Sequence, residues 1–240
     1  MTETDDRRPI YQRLSDELAA SIARDSLRPG DAIPPSMELA ARHQVALGTV
    51  LKALDVLVTR GLIERVQGSG TFVRKPDFGT VSVSDLRCFG SAGDRVALEG
   101  RILSGATLAG PREVTEALGL TDRAMVIRLR RLRTHDGLPT SHEEIWLDEA
   151  RFRPVLTMRD KHPRLLYPVY EDLCGEVVAC AREQITIEAA IGDDADLLGM
   201  VKGRPVVVVE RIAFGYSGRP VEWRRSRSPA SSFHLSLNIR

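Results

Sequence analysis

The sequence lacks the features of a membrane protein or a secreted scaffold. Its 240 residues contain no run of eighteen apolar residues, the length that indicates a transmembrane helix. It has only three cysteines, at positions 88, 174 and 180, an odd number without metal-ligand spacing. The first six residues are polar and acidic, unlike a signal peptide. These absences argue against a membrane span and a disulfide framework, and we expect a cytoplasmic protein.

Patterns that support catalysis or cofactor binding are also missing. The five histidines are not clustered in the sequence, and no His-x-x-x-His or Cys-x-x-Cys spacing indicates a metal site. The glycines near residue 68 are not followed by the helix that a nucleotide-binding loop requires. The sequence therefore predicts a protein that is not an enzyme and that needs no cofactor or metal.

The distribution of charge is more informative than its total. The net charge is only +1. Residues 7–75 nevertheless hold eleven basic and seven acidic residues, whereas the basic and acidic residues from position 77 onward are equal in number. A clustered excess of this kind is suited to phosphate contacts, and a dimer would double it.

Hydrophobic periodicity divides residues 10–73 into helices followed by a hairpin. Every fourth residue from Ile10 to Ile22 is apolar, which predicts an amphipathic helix. The elements expected in order are that helix, a turn at 28–31, a helix opened by Pro34-Pro35-Ser36 that runs to about His43, a helix over about 47–60, and strands over 62–66 and 71–73 joined by a glycine-rich turn. This order is typical of a winged helix-turn-helix, in which the third helix enters the major groove of DNA.

The same segment resembles the GntR family of bacterial transcription regulators. The residues that carry the resemblance are Pro9-Ile10-Tyr11, Leu27 through Pro34, Glu38-Leu39-Ala40, Thr49-Val50, Ala53-Leu54, Leu57, Gly61-Leu62-Ile63 and Gln67 through Val73. The resemblance implies a winged helix-turn-helix DNA-binding domain over residues 1–75.

Three positions depart from the usual pattern of that family. Met37, Leu47 and Leu51 stand where family members usually carry arginine. An arginine–guanine contact contributes about 1–3 kcal/mol of discrimination, so its loss should change the operator. In one interpretation Leu47 and Leu51 contact thymine methyl groups and the operator is A·T-rich. In the other, the domain has lost specific DNA binding and has become a protein-interaction module.

If DNA binding is retained, the contacts are expected on the third helix, the helix before it, the wing and the N-terminal arm. Basic residues would hold phosphates, and the wing glycines would let the backbone approach DNA closely. The expected DNA-binding residues are Arg7, Arg8, Ser36, Met37, Arg42, Leu47, Gly48, Thr49, Leu51, Lys52, Arg65, Gly68, Ser69, Gly70 and Thr71.

Residues 76–83 read as a linker, and residues 84–240 as a second domain. The linker contains proline and glycine without periodicity. Beyond it, strands and helices alternate, and two hairpins are predicted at Asp136-Gly137 and at Ser217-Gly218-Arg219. Their similar sequences, Gly137-Leu138-Pro139 and Gly218-Arg219-Pro220, indicate two related halves around one mainly antiparallel sheet. The predicted fold class is α+β.

This second half resembles the UTRA effector-binding domain of the HutC branch of GntR regulators. The resemblance rests on Arg131-Leu132-Arg133, Asp136 through Pro139, Glu143, Leu166-Tyr167, Gly175, Ala195 through Leu198, Gly203-Arg204-Pro205 and Gly218 through Glu222. It implies a fold like that of chorismate lyase, binding of a small metabolite, and dimerisation.

Two arginines are the main candidates for binding an anionic effector. Arg131 and Arg133 lie two residues apart on a predicted strand, so their side chains share one face and could grip a phosphate or carboxylate. By themselves two such arginines more often form a solvated face paired with acids, and it is the resemblance to the UTRA domain that favours binding of a ligand. Glu143 and Glu222 follow the two hairpins and could accept hydrogen bonds from the effector or be ordinary surface carboxylates. The resemblance adds Phe89, Ser91 and Tyr167, although Leu165 stands where the family usually has a serine.

These patterns together predict a homodimeric, ligand-responsive repressor. Two winged domains would bind the halves of a palindromic operator in duplex DNA, and a small anionic metabolite would release them. The alternatives are a protein-interaction module without specific DNA binding and, because of the fold resemblance, a lyase-like enzyme.

Overall fold

The computed structural model of the chain describes residues 8–23, 27–74, 98–158 and 162–233. They divide into two compact units. No helix in these ranges is both long enough and apolar enough to cross a membrane.

Three helices and a hairpin form the N-terminal unit, as the sequence predicts. The elements are α1 (Ile10–Ala23), α2 (Ser36–His43), α3 (Leu47–Thr59), β1 (Ile63–Val66) and β2 (Gly70–Val73). The core is built from the inward faces of all five elements and comprises Leu14, Leu18, Ala19, Ile22, Ile33, Leu39, Val50, Ala53, Leu54, Leu57, Leu62, Ile63 and Val73. Because the apolar side chains recur with helical spacing, one face of α1 and one face of α3 pack on each other.

The turn between α2 and α3 depends on a residue in the left-handed region. Gln44 has φ 52° and ψ 43°, a conformation that reverses the chain within a few residues. The N–H of Val45 then bonds to the Ala40 carbonyl oxygen at 3.1 Å, and α3 begins at Leu47. This short connection fixes the direction of α3 relative to α2.

One detail of the predicted helices is wrong. Ile10, the first residue of the expected apolar stripe, is 52% exposed because it begins α1, one turn before the first buried residue, Leu14. Helix α2 begins at Ser36, within the segment expected to open it, and Pro35 is its N-cap.

A six-stranded sheet forms most of the C-terminal unit. Its strands are β3 (Glu99–Ala109), β4 (Met125–His135), β5 (Leu138–Asp148), β6 (Val178–Ala189), β7 (Pro205–Gly215) and β8 (Pro220–Pro229). They lie in the order β3-β4-β5-β8-β7-β6, and β4 pairs antiparallel with β3 and with β5. The α+β class and the antiparallel sheet are confirmed.

The strand order is symmetric about its centre, as two related halves would produce. The three strands of the second half mirror, in position, the three strands of the first. Each half runs strand, short helix, strand, strand, with α4 (Arg112–Leu118) in the first and α7 (Gly192–Leu197) in the second. The halves meet where β5 pairs antiparallel with β8, with Trp146 opposite Trp223. This seam lies at the centre of the sheet.

The segment between the halves covers one face of the sheet. It contains α5 (Glu149–Phe152), a 3-10 turn (Arg153–Met158) and α6 (Tyr167–Cys174). Phe152, Val155 and Tyr170 from this segment pack on Ile127, Leu129, Ile145 and Leu147 of the sheet. Val114 and Leu118 of α4 form a separate cluster with Trp146 and Trp223.

Helix α7 does not use an acidic side chain as its N-cap. The N-cap is Ile191, and Asp193 and Asp194 lie in the first turn. Their side chains bind basic groups of the sheet instead, Asp193 to Arg130 at 3.1 Å and Asp194 to Nδ1 of His142 at 2.6 Å.

Candidate DNA-binding and effector-binding sites

The outer face of α3 carries an apolar strip beside a gap and a cation. Leu47 and Leu51 are 44% and 43% exposed, although Val50 and Leu54 of the same helix are buried. No described atom lies within 4 Å of the position that a Cβ would take at Gly48. Lys52 is exposed and forms no ion pair with any residue in the described ranges. A base edge could therefore approach the backbone of α3 closely at Gly48.

Helix α2 contributes a second exposed apolar residue near its start. Met37 is 76% exposed, and Ser36 precedes it as the first residue of the helix. Thr49 of α3 is half-buried. The structure thus leaves both leucines and Met37 open to solvent at the positions where the family usually has arginine.

Most of the expected phosphate-binding arginines of this unit are paired with acids. Arg65 lies 2.7 Å from Asp55, Arg42 lies 2.9 Å from Glu38, and Arg8 lies 2.8 Å from Asp16. All of these side chains are substantially exposed, and such pairs contribute about 0–1 kcal/mol. The pairs are weak enough for phosphates to displace the acids.

The wing is a short antiparallel hairpin with an open tip. Its strands run in register from Ile63 opposite Val73 to Val66 opposite Gly70. The N–H of Ser69 bonds to the Val66 carbonyl oxygen at 3.0 Å. Gly68 has φ 77° and no described atom near its missing Cβ, so a side chain there would strain the backbone.

The two predicted effector-binding arginines are buried on the same face of β4. Arg131 and Arg133 are each 1% exposed. Nη2 of Arg131 donates to the carbonyl oxygens of Pro163 at 2.6 Å and Arg164 at 2.7 Å, whereas its Nε finds no hydrogen-bond partner within the described ranges. Arg133 donates to the carbonyl oxygens of Leu98 and Glu99, each at 3.3 Å. A solvated face, the alternative considered for these residues, is therefore wrong.

Glu143 lies between two guanidinium groups and is not a surface carboxylate. It lies opposite Arg131 in the β4–β5 pairing, 3.2 Å from that guanidinium and 3.3 Å from Arg224. Burial alone would raise the pKa of the Glu143 carboxyl, but Arg224 and Arg131 lower it to about 2. The pKa of Arg131 is lowered to about 10, mainly by burial. The carboxylate of Glu143 raises this pKa, but not enough to offset burial and the positive charges of Arg133 and Arg224. The carboxylate is stably ionised because it faces more than one cation.

Glu222 accepts hydrogen bonds from a second arginine and two tyrosines. Arg224 donates to both of its carboxylate oxygens, at 2.9 and 2.7 Å. The Tyr170 hydroxyl donates to Glu222 at 2.6 Å and the Tyr167 hydroxyl at 3.4 Å. Burial and the charge of Glu222 raise the pKa of Tyr170 well above its usual value. Both tyrosines therefore keep their protons and act as donors at neutral pH.

A fourth arginine, Arg211 of β7, completes the cluster. Its Nη1 donates to the Tyr167 hydroxyl at 3.2 Å, and its Nε donates to Glu183 at 2.7 Å. Arg211 and Arg224 are not among the effector-binding residues predicted from the sequence. The available signal was alternation, since Arg224 lies two residues after Glu222 and must share its face of the strand.

Two cavities adjoin this cluster on one face of the sheet. The first spans about 290 Å³, part of which is open to solvent, and is lined mainly by arginines and Tyr167. The second spans about 440 Å³, also partly open to solvent, and its lining includes hydroxyl, carboxylate and apolar groups such as those of Ser141, Glu143 and Val209. The two cavities share Arg133, Arg211 and Arg224 as lining residues. An anionic group bound by these shared arginines would adjoin both cavities.

Three predicted contacts, Arg7, Phe89 and Ser91, lie outside the described residues. The other predicted effector-binding residues, Arg131, Arg133, Glu143, Tyr167 and Glu222, all belong to one cluster. Within the described ranges, no group of three or more His, Cys, Asp and Glu side chains could hold a metal ion.

Similarity to known proteins covers both units. Residues 10–73 match the gntR family of bacterial regulatory proteins, and residues 95–234 match the UTRA domain. The chain is 27% identical over 234 residues to the mannosyl-D-glycerate transport/metabolism system repressor MngR of Escherichia coli strain K12, covering 96% of this chain and 95% of that protein. It is 31% identical over 222 residues to the HTH-type transcriptional regulator Rv0792c of Mycobacterium tuberculosis, covering 89% of this chain and 80% of that protein.

A solved structure shows the same fold over nearly the whole chain. PhnF from Mycobacterium smegmatis superposes with a TM-score of 0.58 at 23% identity, covering 95% of this chain and 99% of that one. The protein belongs to the UTRA-containing branch of the GntR family and is a ligand-responsive DNA-binding transcription regulator, not an enzyme.

Proposed function

We propose that the protein is a homodimeric repressor that binds a palindromic operator in duplex DNA and is released by a small anionic metabolite. Each head would place α3 in the major groove and the wing against the flanking backbone. The absence of the usual arginines favours an operator that is richer in A·T pairs. Such a protein acts in the bacterial cytoplasm, where its DNA lies. We retain residues 1–75, 76–83 and 84–240 as the DNA-binding domain, linker and effector domain.

The buried arginine cluster is the observation that carries the effector half of this proposal. Arg131, Arg133, Arg211 and Arg224 line two adjoining cavities in the UTRA domain. Burying four guanidinium groups is costly unless anions compensate them. Glu143, Glu222 and Glu183 supply part of that compensation, and a bound anion would add to it.

Release of DNA requires the metabolite to favour one arrangement of the heads over another. A ligand shifts such an equilibrium only by its difference in affinity for the two states. We therefore expect the metabolite to bind more tightly to the protein free of operator than to the complex.

A screen of anionic compounds by thermal shift tests the effector site. We expect stabilisation by some members of a panel of sugar phosphates, hydroxy acids and amino acids, and loss of operator binding with the same compounds. Arg133→Ala should abolish both responses. Arg130→Ala is the matched control, because Arg130 lies on the same strand but faces Asp193 on the other side of the sheet. Equal responses in the two variants would remove the arginine cluster from the effector site.

Electrophoretic mobility shift with the DNA upstream of the protein's own gene tests the operator half. A steep loss of affinity with rising salt would support contacts to phosphates. Absence of a shift even at low salt would instead favour a protein-interaction module.

A further inference from the structure

We propose that Leu47 and Leu51 recognise the C5 methyl groups of operator pyrimidines, chiefly thymine, in the major groove. The inference rests on the DNA binding proposed above and names the chemical group that α3 recognises. It assigns a specific role to two residues that stand where related proteins usually carry charge.

The helical positions of these residues place an apolar strip beside an open gap. Successive residues of an α-helix are separated by about 100°. Leu47 and Leu51 are therefore separated by only about 40° and form one strip. Gly48 lies next to that strip, and Lys52 lies beyond Gly48, on the side away from the two leucines. The outer face of α3 thus presents, in order around the helix, an apolar strip, a backbone gap and a cation.

The exposure of the strip is not explained by the packing of the domain. The core side of α3 is already formed by Val50, Ala53, Leu54 and Leu57, all of which are buried. Leu47 and Leu51 remain 44% and 43% exposed at the start of the helix. Two leucines one turn apart on a solvent face are suited to contact with an apolar group of a partner.

The surrounding charges favour DNA as that partner. Residues 7–75 carry a net charge of +4, and Lys52 is exposed on the same face as the strip. The only acid on that part of the described helix is Asp55, and Arg65 neutralises it at 2.7 Å. A polyanion can therefore approach the strip without facing an unpaired carboxylate.

Among the groups on base edges in the major groove, the C5 methyl of thymine is the apolar one. Leucine has no hydrogen-bond donor or acceptor in its side chain, so it cannot contact guanine as arginine does. It can bury a methyl group, and 5-methylcytosine carries a methyl at the same ring position. The proposal therefore predicts a preference for the methyl itself and not for the A·T pair as such. A preference based on groove width or DNA flexibility would arise differently.

Replacing thymine by uracil in the operator separates these causes. The probe is a set of duplexes enriched by the full-length protein from random-sequence DNA and then resynthesised with deoxyuridine in place of thymidine, position by position. Uracil keeps every hydrogen bond of thymine and lacks only the methyl. We expect binding to weaken about fourfold for each contacted methyl, the value that corresponds to burying one such group. A second comparison uses duplexes with a C·G pair at the contacted position. Replacing that cytosine by 5-methylcytosine restores the methyl group and should strengthen binding by a similar factor.

Variants link this effect to the two leucines. In Leu47→Ala and Leu51→Ala the ratio of affinities for thymine and uracil duplexes should fall toward one. Alanine is a good helix former and the sites are exposed, so both variants should fold. Val58→Ala is the matched control, because Val58 is 37% exposed on α3 but lies three turns beyond Leu47. It should keep the wild-type ratio.

The outcomes distinguish this inference from the function on which it rests. If duplexes are enriched and bound equally well with thymine or uracil, methyl recognition is refuted and DNA binding stands. A uracil effect that persists unchanged in both leucine variants would also refute the assignment. If the full-length protein enriches no duplex at all, DNA binding itself fails and the inference fails with it.

Discussion

Replacing Glu143 by glutamine should destabilise the C-terminal domain in a manner that depends on pH. Glu143 is buried between Arg131 and Arg224, and its pKa is lowered from 4.5 to about 2. At about 1.4 kcal/mol per pKa unit, this shift corresponds to roughly 3 kcal/mol of stability at neutral pH. Breaking a buried ion pair by removing one partner costs a similar amount, about 3–5 kcal/mol. The variant should therefore unfold well before the wild type at pH 7.

The sign of the pH dependence follows from the direction of the shift. A carboxyl whose pKa is lower in the folded state contributes stability that is fully present above its unfolded pKa. That contribution is lost as pH falls from about 4.5 toward 2. The difference in unfolding free energy between wild type and Glu143→Gln should thus be largest at pH 6–7 and should shrink steadily below pH 4.5.

Urea unfolding followed by tryptophan fluorescence measures this difference directly. The protein has two tryptophans, Trp146 on β5 and Trp223 on β8, so the signal reports the sheet and not the DNA-binding head. Glu144→Gln is the matched control. Glu144 lies on the opposite face of β5, and its ion pair with Arg227 is long, at 3.9 Å. A difference for Glu143→Gln that stays constant from pH 6 to pH 3 would refute the reasoning.

Three further predictions concern the two sites. Lys52→Ala should weaken operator binding and lower the slope of log K against log salt by about 0.9 per head, the loss of one phosphate contact; an unchanged slope in a salt titration would contradict it. Asp55→Asn should strengthen operator binding and steepen that slope, because it frees Arg65 to bind a phosphate and removes a negative charge. Weaker binding in the same titration would contradict this and show that the ion pair positions the wing. Gly100→Ala should weaken the stabilisation by anions in a thermal-shift titration, because the new Cβ would lie 2.0 Å from Nη2 of Arg131 and displace that guanidinium; an unchanged response would mean that Arg131 does not bind the anion.

The fold was largely predictable because its elements carry strong local signals. Apolar spacing of four residues, the glycines of the wing and the two Gly-x-Pro hairpins each specify one element with little help from the rest of the chain. The burial of single side chains was less predictable. Ile10 continues the apolar spacing of α1 but is 52% exposed, because it lies one turn before the first buried residue of that helix.

The effector cluster was only partly predictable because it depends on contacts between distant strands. Alternation along β4 placed Arg131 and Arg133 on one face, but the sequence left open whether that face was buried. The place of Arg224 in the cluster could have been predicted from its spacing from Glu222. The place of Arg211 depends on pairing between strands that are far apart in sequence. Long-range pairing also decides that Glu143 and Glu222 are buried, a question that spacing along a single strand cannot answer.

The symmetric order of the strands has a consequence for any molecule that the arginines bind. Arg131, Arg133 and Glu143 come from the first half, whereas Arg211, Glu222 and Arg224 come from the second, so an occupant would bridge the β5–β8 seam. Its binding should slow amide hydrogen exchange in both hairpins together and not in one alone. Neither half could form this pocket separately, so a protein cut between the two repeats would have to reassociate before it could respond to its metabolite.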